Sequence, residues 1–181
     1  MARPNQARLD LAALRHNVGV ARALAPQSKV MAVVKANAYG HGAVTIATEL
    51  DGLVDALAVA CIEEAVELRD AGVSAPILLL EGVFEASELA TAAQLGFWVS
   101  IDNEWQLQWL EDAILPEPVH CWLKVDTGMH RLGFAPDELP GVHARLRASP
   151  NVGEIVLMSH FACADETGNP ARPKQVRRTI A

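Results

Sequence analysis

A lysine at the end of an unbroken apolar run is the first residue of this chain that suggests chemistry. Lys35 follows Val30-Met31-Ala32-Val33-Val34. Burying a charged amine is costly unless the amine is paired or neutralised. Burial also lowers a lysine pKa, which makes the amine a nucleophile or a proton carrier. From position alone, a strand-end lysine that reaches solvent fits as well. The residues that follow, Ala36-Asn37-Ala38-Tyr39-Gly40-His41-Gly42, read as a loop with two glycines ahead of a helix. Tyr39 is the one tyrosine of the chain, and a loop tyrosine can simply pack.

Other polar residues stand at comparable places further on. Lys124 lies within the apolar stretch Trp122-Leu123-Lys124-Val125, and Arg131 follows a turn that contains Gly128. An arginine there could offer its planar fork to a carboxylate or a phenolate, although an ordinary surface arginine reads the same way. His160 ends the last clear strand, in Met158-Ser159-His160-Phe161-Ala162-Cys163-Ala164-Asp165-Glu166, where a structural hydrogen-bonding role also fits. Glu63 and Glu64 read as the start of a helix, where negative charge suits the dipole, and not as an acid/base dyad. Cys61, Cys121 and Cys163 are widely spaced and odd in number, so neither a disulfide framework nor a zinc site fits. Buried thiols in a reducing compartment are expected, and no metal site is expected.

These residues need elements to hold them, and the chain alternates short apolar runs with helical patterns. Strands are predicted over 30–34, 56–60, 77–80, 97–100, 120–125 and 155–158. Val30 to Val34 has the pattern of a strand buried on both faces. Helices are predicted over 44–50, 63–71, 86–95, 103–113 and around 141–148, with a last one beginning near Pro173. The opening Ala7 to Leu11 alternates like a half-exposed strand, and Asp10 could cap a helix over Leu11 to Ala23. Repeated βα units with apolar strands imply an α/β fold with a parallel sheet and helices outside it. Six strands suit either an open doubly wound sheet or three quarters of a (β/α)8 barrel. No glycine-rich dinucleotide fingerprint follows the first strand, which lowers the doubly wound option. In either architecture the functional face is the carboxyl end of the strands, where Lys35 stands.

Bulk composition narrows the function classes. The 181 residues suit one domain or a piece of one, and 51% are apolar. The net charge of −7 argues against nucleic acid as the main partner. The basic cluster Lys174 to Arg178 reads as a solvated helix face. No stretch is long enough to span a membrane, and the first residues lack the apolar run of a secretory signal. A cytoplasmic protein is expected.

Val33-Val34-Lys35-Ala36-Asn37-Ala38-Tyr39-Gly40-His41-Gly42 resembles the pyridoxal-phosphate (PLP) attachment motif of the alanine racemase family. Trp122-Leu123-Lys124-Val125-Asp126-Thr127-Gly128-Met129-His130-Arg131-Leu132-Gly133 resembles a second signature of that family, and Met158 to Glu166 a third. Weaker likenesses lie in Ala58 to Ala65 and in Pro76 to Gly82, where the roles are structural. The resemblance implies a TIM-like parallel (β/α)8 barrel, with about six of its eight strands in this chain. It implies a Schiff base between Lys35 and PLP, and a hydrogen bond from Tyr39 to the cofactor phosphate. Arg131 would reach the PLP phenolic oxygen and the substrate carboxylate region. Lys124 matches a lysine that is often carbamylated and then orients that arginine. His160 would lie against the pyridine ring.

The same resemblance implies an isomerase that interconverts L- and D-alanine, for bacterial peptidoglycan supply or for alanine catabolism. Lys35 would serve one face of the substrate, and a tyrosine from the partner subunit of a homodimer the other. Tyr39 is assigned to phosphate, so that second base has no counterpart here. The likeness covers nearly all of this chain but only the first half of a family member. Residues 1–181 are therefore expected to be a truncated N-terminal PLP-binding barrel domain, without the C-terminal β domain and poorly active alone. Three rival readings stand beside this one. They are a non-catalytic PLP-binding homeostasis protein of the same fold, a broader-specificity amino-acid racemase, and an interaction half-barrel whose motifs are relics.

Overall fold

The computed structural model describes residues 7–166, 168 and 169. Six strands make up the sheet, in the order β1-β2-β3-β4-β5-β6: β1 (Met31–Val33), β2 (Ala56–Val59), β3 (Ile77–Leu79), β4 (Trp98–Ile101), β5 (Val119–Lys124) and β6 (Val152–Met158). Helices α1 (Leu11–Leu24), α2 (Lys35–Gly40), α3 (Ala43–Leu50), α4 (Ile62–Asp70), α5 (Glu88–Leu95), α6 (Glu104–Asp112) and α7 (Leu139–Ala148) alternate with them. The expected parallel α/β pattern is observed. The helix expected near Pro173 and the basic cluster Lys174 to Arg178 lie outside the described residues. The chain divides into two compact units, residues 1–78 and 79–181.

In the first unit β1 pairs with β2 in parallel, with Met31 opposite Ala56 and Val33 opposite Ala58. The core is built from Leu50, Leu57, Ala58, Val59, Leu68, Ile77 and Leu78, each 2% exposed or less. β2 is buried along its whole length, as its continuous apolar run requires. β1 differs from the two-faced burial expected of it: Val33 is 42% exposed. Among the described residues β1 ends the strand order and has β2 alone as neighbour. Residues 7–10 are not a strand either. Asp10 instead accepts the Ala13 N–H at 2.9 Å and starts α1, which fits the expected cap. An apolar groove of about 580 Å³ runs between α1 and β1, lined by Leu14, Val18, Ala32 and Ile46 among others.

In the second unit β4, β5 and β6 run parallel, with Ile101 opposite Leu123 and Lys124 opposite Met158. Leu89, Phe97, Val99, Ile101, Leu107, Leu110, Cys121 and Leu146 are buried around them. Asn103 caps α6 by accepting the Gln106 N–H at 3.0 Å. Gln106 is itself buried and joins two turns at the carboxyl ends of the strands. Its amide donates to the Glu81 carbonyl at 2.8 Å, and its oxygen accepts the Asp102 N–H at 2.9 Å. Asn151 closes the opposite end by donating to the carbonyls of Leu110 (2.8 Å) and Ala113 (2.7 Å). On the surface Arg145 of α7 bridges Glu104 and Glu111 of α6.

Candidate active site

Lys35 leaves the carboxyl end of β1 just after Val34, which is 2% exposed. Its backbone is fixed on the strand side by the Val34 N–H, which donates to the Ala58 carbonyl at 2.8 Å. The segment after it is not an ordinary loop. Ala36, Asn37, Ala38 and Tyr39 all have φ between 51° and 55° and ψ between 37° and 50°, a left-handed helical turn without glycine. Each such residue costs on the order of 1–2 kcal/mol, so the turn persists only where its surroundings over-determine it.

The determinants are visible. The Ala38 N–H donates to the Val34 carbonyl (2.8 Å) and the Gly42 N–H to the Asn37 carbonyl (2.9 Å). The Asn37 side-chain oxygen accepts the Ala43 N–H at 2.7 Å and so starts α3. The Glu64 carboxylate accepts the Ala36 N–H at 2.7 Å with one oxygen and the Ala60 N–H at 2.9 Å with the other. The turn presents Tyr39 outward, 62% exposed. Lys35 and Tyr39 thus share one turn, where the sequence reading expected a loop.

In the second unit the expected residues converge on one narrow pocket. Lys124, Arg131 and His160 line it, with Asp126, Thr127, Met129 and Leu132. Lys124 is the last residue of β5 and only 8% exposed. Arg131 and His160 are exposed. The loop that carries Arg131 returns to its own strand: Phe134 N–H donates to Lys124 carbonyl, and Asp126 N–H to Phe134 carbonyl, both at 2.9 Å. Asp126 shapes that loop. One of its carboxylate oxygens accepts the N–H groups of Gly128 (2.8 Å), Met129 (3.0 Å) and His130 (3.0 Å). The other meets His130 Nδ1 at 2.8 Å. Burial acts to raise the Asp126 pKa, but the His130 and Gly128 N–H groups and the His130 side chain outweigh it and hold the carboxyl below its ordinary value.

Asp102 is the residue beyond Ile101, and the β4–β5 register places it beside Lys124. It is 4% exposed. Burial pushes its carboxyl up, while the Asn103 amide and the Lys124 charge pull it down. Thr127 is also buried, and its hydroxyl meets the Ser159 hydroxyl at 2.7 Å, which joins the Arg131 loop to the segment that carries His160. Of the three thiols, Cys121 is buried and pushed up to about 12 by burial. Cys61 and Cys163 are half-buried, so the expectation of buried thiols holds fully for Cys121 alone. Among the described residues, no cluster of His, Cys, Asp and Glu could hold a metal ion.

Sequence reasoning singled out Lys35, Tyr39, Lys124, Arg131 and His160 as candidates, and did not single out Glu64, Asp102 or Asp126 as partners of those segments. For Asp126 a signal existed, since Asp-Thr-Gly favours a side chain that folds back on backbone N–H groups. For Glu64 the helix-start reading is met, with the residue in the first turn of α4. Its link to Ala36 spans 28 positions and has no local signature.

The profile of the family described as "Alanine racemase, N-terminal domain" matches residues 9–180. The chain is 52% identical over 174 residues to the catabolic alanine racemase of Pseudomonas aeruginosa, which covers 96% of this chain and 48% of that protein. It is 54% identical over 173 residues to the alanine racemase of Xylella fastidiosa, with the same two coverages. The crystal structure of a biosynthetic alanine racemase from Pseudomonas aeruginosa superposes with a TM-score of 0.91 at 51% identity, over 95% of this chain and 48% of that one. The alanine racemase of Acinetobacter baumannii superposes with a TM-score of 0.86 at 34% identity, over 95% and 48%. The chain spans about half the length of the curated relatives it matches.

Proposed function

The chain belongs to the alanine racemase family, and we propose that the protein is an isomerase that interconverts L- and D-alanine with PLP attached to Lys35. The observation that carries this reading is the lysine itself. Lys35 stands at the carboxyl end of a strand and opens a strained left-handed turn, within a chain 52% identical to a named catabolic alanine racemase.

The side chains suit the cofactor chemically. Lys35 offers a primary amine to an aldehyde. Tyr39 offers an exposed hydroxyl to a phosphate. Arg131 offers a guanidinium to a phenolate and to a substrate carboxylate. His160 offers a flat ring to the pyridine. PLP, when bound, supplies the electron sink that makes the alanine Cα–H acidic enough to remove.

The residues of this chain then do the rest. The Lys35 amine would take or return the Cα proton on its own face of the substrate. Arg131 neutralises the substrate carboxylate and holds it away from that proton path. Lys124, buried under the Arg131 loop, sets the electrostatics beneath the guanidinium. If it is carbamylated, a cation beside Arg131 becomes an anion, which removes a like-charge clash. The other face of Cα needs a second base, and none of the described side chains is assigned that role.

The family likeness supports PLP dependence, a homodimeric assembly and a cytoplasmic location. Among the described residues no helix is long and apolar enough to cross a membrane. The rival of a non-catalytic PLP carrier is disfavoured by the segment Lys124 to Gly133, which a carrier would not need. The test is chiral analysis of alanine incubated with PLP-loaded full-length protein. L-alanine should become racemic, and Lys35→Ala should abolish that. A PLP-loaded protein that leaves alanine, serine and other amino acids enantiopure would leave only the carrier reading.

A further inference from the structure

Lys35 can act from a fixed direction only if its backbone is held on both sides. The strand side is held by the Val34 N–H on the Ala58 carbonyl. The other side begins at the Lys35–Ala36 peptide, and the group on that peptide's N–H is a carboxylate from a different βα unit. We propose that Glu64 is a positioning residue for Lys35, clamping the peptide after it to the β2–α4 turn and so fixing the angle at which the side chain leaves β1. The proposal rests on Lys35 being the cofactor lysine.

The geometry supports this over a simple helix-start role. A first-turn glutamate stabilises its own helix by pointing at that helix's N–H groups. Glu64 instead spends one oxygen on Ala60, ahead of α4, and the other on Ala36. The bonds from Ala38 to Val34, from Gly42 to Asn37, from His41 to Ala38 and from Ala43 to Asn37 all run within residues 34 to 43, so they curl the segment on itself, while the Glu64 bond ties it to the β2–α4 turn. A left-handed run of four non-glycine residues relaxes unless something external holds it. The chemistry also requires a carboxylate. Two N–H donors converge on two acceptor oxygens, so glutamine would turn an NH₂ group toward one of them. Aspartate is one methylene short. Glu63, the exposed neighbour, shares a side-chain hydrogen bond with Cys61, which makes it a natural control.

The experiment compares full-length, PLP-loaded wild type with Glu64→Gln, Glu64→Ala and Glu63→Gln. Hydrogen exchange of the peptide covering residues 35–43 is read together with the visible circular dichroism per bound PLP, which reports how the ring is held relative to Lys35. Loss of one charge-assisted bond should speed exchange of that peptide by about tenfold and weaken PLP half-saturation by a similar factor. Visible dichroism should fall at equal occupancy, with far-ultraviolet dichroism unchanged, and Glu63→Gln should match wild type. A folded Glu64→Gln with native exchange and native visible dichroism overturns the proposal. If the Glu64 variants do not fold, the wild type decides. An Ala36 amide as protected as that of Val34 supports the clamp, and one that exchanges like a free loop amide overturns it. If wild type takes no PLP on Lys35, the racemase reading fails, while the exchange data still report on the clamp.

Discussion

The Gly133 N–H donates to the Asp102 carbonyl at 3.1 Å, which ties the end of the Arg131 loop to the end of the neighbouring strand. Gly133 has φ of 111°, a conformation that side chains rarely adopt. A Cβ built there would meet Asp126 N at 2.8 Å, Val125 C at 2.9 Å and Lys124 O at 3.0 Å. All three are backbone atoms, so nothing flexible can give way. Gly133→Ala should therefore destabilise the fold by on the order of 2–4 kcal/mol, by strain plus overpacking. Thermal melting checks this, and a melting temperature within a degree or two of wild type would contradict it.

Asp126 holds the same loop from the inside. Removing its carboxylate in Asp126→Ala leaves three N–H groups to find water. A loss of about 1–3 kcal/mol is expected, together with faster exchange across residues 126–134. Substrate half-saturation should rise more than turnover falls, because Arg131 is the group the loop presents.

The depressed Asp126 pKa also has a pH consequence. A carboxyl held below its ordinary value of 3.8 contributes stability that is fully present above that value. That contribution is lost as pH falls through the lower folded value. Acid titration of wild type against Asp126→Asn should show the difference in stability between them shrinking below the ordinary aspartate range. A difference that stays constant to low pH would rule out this linkage.

Thiol reactivity should rank by burial. The thiolate is the reactive form, and Cys121 is pushed up to about 12. Alkylation of the native protein near pH 8 should modify Cys61 and Cys163 well before Cys121, by peptide mass spectrometry. Early labelling of Cys121 would mean that β5 opens readily.

The residues that announce themselves in the sequence are those whose type clashes with their neighbours. Lys35 and Lys124 are charged groups on apolar strands, and that conflict is local and readable. Strand and helix positions were legible for the same reason, because the period changes at each boundary. Three features were not legible. The left-handed turn after Lys35 is made of alanine, asparagine and tyrosine, of which only Asn37 is a residue type that favours positive φ, so a run of four was not readable. The exposure of Val33 goes with the place of β1 at the end of the strand order among the described residues, which its own apolar run cannot reveal. Glu64 reads as a helix-start residue because its partner lies 28 positions away. What local pattern cannot encode is the bond that one βα unit makes to the next.

The central claim is that Lys35 carries PLP. The direct measurement is borohydride reduction of the full-length protein after PLP addition, followed by peptide mapping. The account predicts one stable pyridoxyl adduct per chain on Lys35, absent from Lys35→Ala and from unreduced protein. An adduct on Lys124 or Lys29 instead, or none in a folded protein, would contradict it.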